Sequence, residues 1–393
     1  MSYYEFFCPV KVIAGQAALE HLPYEFSSRA VERPMVVTDK GVRNAGLLDK
    51  VLSACEEGGM DITVVYDDVP ADSSKQTVMA IAKEYRKQNC DGILAIGGGS
   101  PIDTAKAVNI LVSEGGDDIA QYAGSGVLKR PLKPFIVIPT TAGTGSEVTN
   151  VAVIADTEKE VKLAFASGFM LPDAAVIDPR MTLTLPPQIT AATAMDAMTH
   201  SVEAFTCLAK NPLSDAYATA AISKISNNLL KVMEKPDDAE RRLELAQAST
   251  MAGIAFSNSM VGLVHALGHS LGAACHLPHG LCMSLFLPYV LEYNLEEIRE
   301  PLSELLLHLA GPEIYAMTPK SQRAEESIAT IRKLRDDLHR YCGLPRTLQE
   351  TGKVEKSELD RIAQMTIDDG SIMFNPKEAS LEDARAVLEK AWA

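Results

Sequence analysis

Four of the chain's eight histidines fall in GLVHALGHSLGAACHLPHG, residues 262–280: His265, His269, His276 and His279. Imidazole binds metals and exchanges protons near neutral pH, so this density raises a chemical question rather than a packing one. Upstream, MDAMTH sets Asp196 and His200 four residues apart in a helix-like stretch, which puts both on one face. A carboxylate and an imidazole so placed can share one ion. His265 and His269 are also four apart, and the simplest reading pairs them as ligands. An unbroken helix would carry the same stripe on to His276 and bring His279 close to it. Pro278 opposes this, because an interior proline removes a hydrogen bond and clashes with the preceding turn. Gly272 and Gly280 weaken continuity further. The sequence therefore predicts one helix ending near Cys275 and another starting near His279, free to point back toward His265. Two ligands from one helix and two imidazoles from others make a four-ligand N/O set, suited to Fe(II), Zn(II) or a similar divalent ion and not to a thiolate cluster. The competing reading is a group of satisfied core histidines.

A second kind of chemistry lies in the first half. GGGSPIDTAK (97–106) follows a strand-like run and opens a helix. Ser100 reads as the N-cap, Pro101 as N1, and Asp103 as the partner of a capping box. Three glycines let a diphosphate approach the backbone, where the N–H groups and positive end of the helix bind it. A tight turn without a ligand is the alternative. PTTAGTGSEVTN (139–150) leaves another strand and carries Thr140, Thr141, Thr144 and Ser146, whose hydroxyls are placed to reach phosphate or ribose. Asp39 ends PMVVTD, where an acid accepts from the adenosine ribose and repels a 2′-phosphate, favouring NAD over NADP. Its alternative role is an N-cap for the next turn.

These residues need elements to position them. PMVVTD (34–39), DITVVYD (61–67), GILAIGGG (92–99) and FIVIPT (135–140) read as strands alternating with helices such as 74–88. That pattern predicts a parallel, Rossmann-like sheet. After Pro179, Pro186 and Pro187 the chain reads as almost wholly helical. We place a boundary near residue 181, giving a dinucleotide-binding α/β domain over 1–181 and an all-α, metal-binding domain over 182–393. The formal net charge of −15 argues against a basic nucleic-acid groove. Seven cysteines, an odd number with no CxxC, argue against a disulfide framework and for a reducing cytoplasm. The start, MSYYEFFCPVKVIAG, has no signal-peptide pattern, and no apolar run reaches the roughly 20 residues that span a bilayer.

In this order, GGGSPIDTAK, PTTAGTGSEVT, DAMTHSVEAF and GLVHALGHSLGAACHLPHG resemble the iron-containing (group III) alcohol dehydrogenases, from about residue 5 to about residue 380. The resemblance implies the dehydroquinate synthase-like fold of that family: an α/β nucleotide domain followed by a helical metal domain. It implies Asp196, His200, His265 and His279 as ligands of Fe(II), or alternatively of Zn(II) or another divalent metal. It places His269 near the nicotinamide and substrate as a candidate proton relay, and leaves His276 to packing or a supporting role. It implies a pyrophosphate loop at Gly97, Gly98, Gly99, Ser100 and Asp103. A second nucleotide loop follows at Thr140, Thr141, Thr144 and Ser146, continued by Thr149 and Val151, with Lys162 beside the nicotinamide ribose. Asp39 matches the position favouring NAD, and Asn150 and Phe256 the substrate side. The N-terminal YYEFFCPVKVIAG resembles an edge strand used in dimerisation, so a homodimer or larger homo-oligomer is expected.

The activity implied is reversible hydride transfer between a primary or short-chain alcohol, or a diol, and NAD. Ethanol, butanol, propanediols, lactaldehyde and 4-hydroxybutyrate are all candidate substrates. Related alternatives are a glycerol, polyol or 4-hydroxybutyrate dehydrogenase, a metal-free maleylacetate reductase, a dehydroquinate synthase-like lyase, and a non-catalytic or filament-forming NAD-binding protein. The four-ligand set disfavours the reductase and the lyase.

Overall fold

The computed structural model describes residues 3–159 and 161–393. Met1 and Ser2, the start of the stretch read above for a signal peptide, and Glu160, beside Lys162, lie outside the described residues. The chain divides into two compact units, Cys8–Leu185 and Pro186–Ala393, and the described residues before Cys8 group with the second.

The first unit is built on strands β1 (Lys11–Ala14), β2 (Pro34–Val37), β3 (Val64–Tyr66), β4 (Gly92–Gly97), β5 (Gly124–Ser125), β6 (Phe135–Pro139), β7 (Val151–Asp156), β8 (Val161–Ala166) and β9 (Ala174–Ile177). Six form a sheet in the order β1-β9-β6-β4-β2-β3, with every pairing parallel. Strands β2, β4, β6 and β9 are buried along their whole length, which explains their unbroken apolar runs. Alternate residues serve opposite faces. Met35, Ile93, Phe135 and Val137 pack on one side with Ile81 and Ile102, while Val36, Leu94, Ile136 and Ile138 pack on the other with Phe26 and Val51. The four strands expected from sequence are β2, β3, β4 and β6. Strand order reverses beside β2, so the ends of β2 and β4 flank the switch point where such sheets bind ligands.

Four strands were not expected: β9, the antiparallel hairpin β7/β8, and β5, which adds to β8 in parallel. Of the N-terminal stretch read as an edge strand, only Lys11–Ala14 is strand. It lies at the sheet edge in register with Ala174–Ile177.

The second unit is helical among its described residues. Its main helices are Pro187–Thr206, Pro212–Glu234, Ala239–Ser257, Leu263–Cys275, His279–Ala310, Arg323–Cys342, Leu359–Asp368 and Leu381–Lys390. Proline opens the first two from the initial turn, where its missing N–H costs nothing. No described helix is long and apolar enough to cross a membrane.

Candidate metal centre and nucleotide loops

The helix Leu263–Cys275 stops where expected. His276 closes it in the left-handed region (φ 52°), and Pro278 precedes the helix that His279 begins. His276 is exposed there, so the reading of it as a packing residue is corrected: a cap conformation turns it out of the core. Gly280 lets the new helix approach its neighbour, because a Cβ there would lie 2.5 Å from the Ala192 carbonyl oxygen. That approach carries His279 Nε2 to 3.3 Å from Asp196 Oδ1. Asp196 and His200 share the buried face of Pro187–Thr206, and His265 is equally buried.

One donor atom from each of Asp196, His200, His265 and His279 lies within 4.8 Å of the others. His269 is not in this set. Its ring stands 5.7 Å from that of His265 and 5.4 Å from that of His279, on the exposed side. The Asp369 carboxylate accepts its Nδ1–H at 3.0 Å. Phe256 stacks on His200 with ring centroids 4.2 Å apart.

Glu203, unremarked in the sequence reading, organises this centre. One of its oxygens accepts the Nδ1–H of His265 at 2.5 Å and the other accepts the Val264 N–H at 2.7 Å. Asn375 accepts the Leu263 N–H at 3.2 Å. Two distant side chains thus cap a helix whose own N-cap, Gly262, has no side chain to offer. A Cβ on Gly262 would lie 3.0 Å from Asn375 Oδ1 and 3.2 Å from Glu203 Oε1, so glycine is what allows both to reach in. The positions 196, 200 and 203 recur at i, i+4 and i+7, the one sequence signal that could have found Glu203. For Asp369 and Asn375 no spacing signal exists.

Burial holds His200 neutral, pushing its imidazole down to about 3, and drives His265 down as well. Burial also pushes Glu203 up to about 7, against the N–H groups of Gly262 and Val264. For Asp196 burial acts upward too, but the facing His200, His279 and His265 outweigh it and keep the carboxyl below its usual range.

In the α/β unit, the helix after β4 is Gly99–Glu114, with Gly98 as N-cap. It starts two residues before the expected site, so the capping role given to Ser100 is corrected. Ser100 lies in the first turn, where its carbonyl accepts from Thr104. No side chain caps this helix end. Gly98 and Gly99 face the second loop closely: a Cβ on each would lie 3.2 Å from Thr141 Oγ1 and 3.3 Å from Thr144 Cγ2. The expected capping box of Asp103 is also absent. Its carboxylate instead accepts the Ser146 hydroxyl at 2.7 Å and the Val153 N–H at 3.1 Å. Thr144 Oγ1 accepts the Ser146 N–H, Thr140 is buried, and Thr149 donates to the Ser146 carbonyl. Val151 opens β7, and Asn150 accepts the Ser167 N–H just before it. Lys162 is exposed on β8, 3.7 Å from Asp72. Asp39 lies two residues beyond β2 and accepts the Val42 N–H at 2.9 Å, so it does cap the next helix.

The iron-containing alcohol dehydrogenase family model matches residues 9–179, and the family's C-terminal model matches residues 190–392. The chain belongs to the iron-containing alcohol dehydrogenases. Alcohol dehydrogenase 4 of Saccharomyces cerevisiae strain YJM789 is 34% identical over 98% of both chains. The 1,3-propanediol dehydrogenase of Klebsiella pneumoniae is 36% identical over 92% of each. The crystal structure of a 1,3-propanediol oxidoreductase matches with TM-score 0.94 and 33% identity, covering 99% of this chain and all of that one.

The donor set fits the metal in the family's name. Asp196 Oδ1, His200 Nδ1 and His265 Nε2 are buried and make no hydrogen bond. Leaving such atoms unpaired is costly unless an ion satisfies them. One carboxylate oxygen with three imidazoles suits iron and its divalent neighbours. With a metal held by His265, the Glu203 contact would orient that ring from behind.

Proposed function

We propose that the chain is a metal-dependent, NAD-linked dehydrogenase of primary or short-chain alcohols and diols, acting reversibly on the matching aldehydes or ketones. The observation that carries this is the convergence of Asp196, His200, His265 and His279, in which the buried Asp196 Oδ1, His200 Nδ1 and His265 Nε2 make no hydrogen bond. Relatives named for 1,3-propanediol support a small alcohol or diol as substrate. These four residues would hold the metal, which when bound lowers the pKa of an alcohol hydroxyl. Phe256, stacked on His200, would bound the substrate side. The Asp369 carboxylate fixes the Nδ1–H tautomer of His269 and leaves Nε2 as the nitrogen that takes and returns the substrate proton.

In this reading the nucleotide binds on residues 1–181 and the metal on 182–393. The uncapped helix end at Gly98–Gly99 takes the diphosphate. The remaining loop positions from Thr140 to Val151, with Lys162, surround the nicotinamide ribose, and Asp39 selects NAD. A homodimer formed through the outer edge of β1 and a cytoplasmic location complete the proposal. The open sheet edge and the free cysteines support them.

The deciding experiment is metal analysis by mass spectrometry on anaerobically purified, chelator-washed protein, beside an NADH-linked aldehyde assay. Close to one iron per chain with aldehyde reduction is expected. Metal-free protein that still reduces aldehydes with NADH would overturn the proposal. His269→Ala should slow turnover by about 10²-fold or more while keeping the metal, the scale of a lost general acid–base group. Loss of metal in that variant would restore the pairing of His265 with His269.

A further inference from the structure

The helix that begins at the glycine loop carries a fully buried lysine. Lys106 lies two turns beyond Gly99, and Gly99, Asp103 and Lys106 follow the i, i+4, i+7 rhythm of one helix face. That face meets the second nucleotide loop in sequence order. Gly99 faces Thr144, and Asp103 holds Ser146 and the N–H of Val153. Lys106 Nζ donates to Ser146 Oγ at 3.2 Å, Thr149 Oγ1 at 2.9 Å and the Val151 carbonyl at 2.9 Å.

An ammonium has three N–H donors, and here each has an acceptor. All three acceptors fall within residues 146–151. Burying an ammonium is expensive, and an apolar side chain of similar length would fill the same space at less cost. What the cation adds is the fixed path of that one segment. The hydroxyls of Ser146 and Thr149 are thereby turned inward, so they shape the loop more than they reach for a ligand.

We propose that Lys106 is a positioning residue for the nucleotide: it holds residues 146–151 in register with the glycine loop, and nucleotide affinity depends on it while metal binding does not. The inference rests on the nucleotide reading given above. Burial also pushes the amine down to about 8, against the facing Asp103 on its own helix and Glu147 on the loop. The charged form is therefore lost as pH rises through that value.

The test is NADH binding by fluorescence titration, with kcat, KM for NADH and metal content, on the full-length protein and its Lys106→Met variant. We expect the variant to raise both Kd and KM by about tenfold or more, the scale of lost charged hydrogen bonds, with kcat within about twofold and metal content unchanged. Wild-type affinity should weaken above about pH 8, and that step should be absent from the variant. Thr149→Val removes a single acceptor and should raise Kd about threefold, so it serves as the test if Lys106→Met fails to fold. Unchanged NADH affinity in the variants, or an equal loss of kcat and metal, overturns the role of Lys106. Wild-type protein that binds neither NADH nor NADPH overturns the nucleotide reading itself.

Discussion

Both units bury charged and polar side chains, and they do so in opposite ways. In the helical unit, Asp196 Oδ1, His200 Nδ1 and His265 Nε2 lie buried and close together without a hydrogen bond. In the α/β unit, Lys106, Asp103, Ser146 and Thr149 answer one another in a linked network. Leaving the atoms of the first arrangement unpaired is costly unless an ion satisfies them. The second is a finished scaffold, and in the proposed reading the nucleotide contacts fall to the backbone and glycines around it. Side-chain type therefore says more about binding in the helical unit, and backbone geometry says more in the α/β unit.

Removing a proposed metal ligand is the strongest way to break this contrast. Asp196→Ala or His265→Ala should cost about 10³-fold or more in turnover, because the interaction lost acts on the reacting group. Metal should leave at the same time. Wild-type Tm should rise with added metal as binding favours the folded state, and the Asp196→Ala Tm should not respond. Metal retained at full stoichiometry with unchanged activity would show that these atoms are unpaired for some other reason.

A smaller effect separates the ligands from the residue that aims one of them. Glu203 touches His265 at the ring nitrogen opposite its unpaired Nε2. Glu203→Gln keeps an acceptor but removes the charge, and should weaken metal affinity by about 10- to 100-fold, the usual cost of losing such a partner. Competition with a chelator of known affinity measures this. An unchanged affinity means that Glu203 serves only as the cap on Val264.

Sequence was most informative where a residue's chemistry and its local geometry coincide. The stop at Cys275 and restart at His279 follow from Pro278, helped by Gly272 and Gly280, and they decide which histidines converge. The strands β2, β4 and β6 were legible because full burial demands unbroken apolar runs. The hairpin β7/β8 was not. VAVIAD is apolar at nearly every position, yet Val151 and Val153 are exposed, so no alternation marks it as a strand. The helix start at Gly99 was missed because Ser100, two residues beyond the actual N-cap Gly98, looks like a better cap than a glycine. Asp369 and Asn375 act on residues about 100 positions away, and only the tertiary fold pairs them.

The smallest predicted effect concerns Asp39, which has two functions that one substitution can separate. Its Oδ1 accepts the Val42 N–H and so caps the helix Lys40–Asn44. The proposed second role, accepting from a ribose hydroxyl and repelling a 2′-phosphate, follows from its place just beyond the end of β2. Glycine is itself a tolerable N-cap, so Asp39→Gly should cost only a few tenths of a kcal/mol in stability. Removing the carboxylate should shift kcat/KM toward NADPH over NADH by roughly tenfold, about 1.4 kcal/mol of relative binding. Steady-state kinetics with both nucleotides reads the shift, and a thermal melt reads the cap. A lowered Tm with an unmoved NADH/NADPH ratio would leave Asp39 as a helix cap and nothing more, and cofactor choice would then rest elsewhere in the α/β unit.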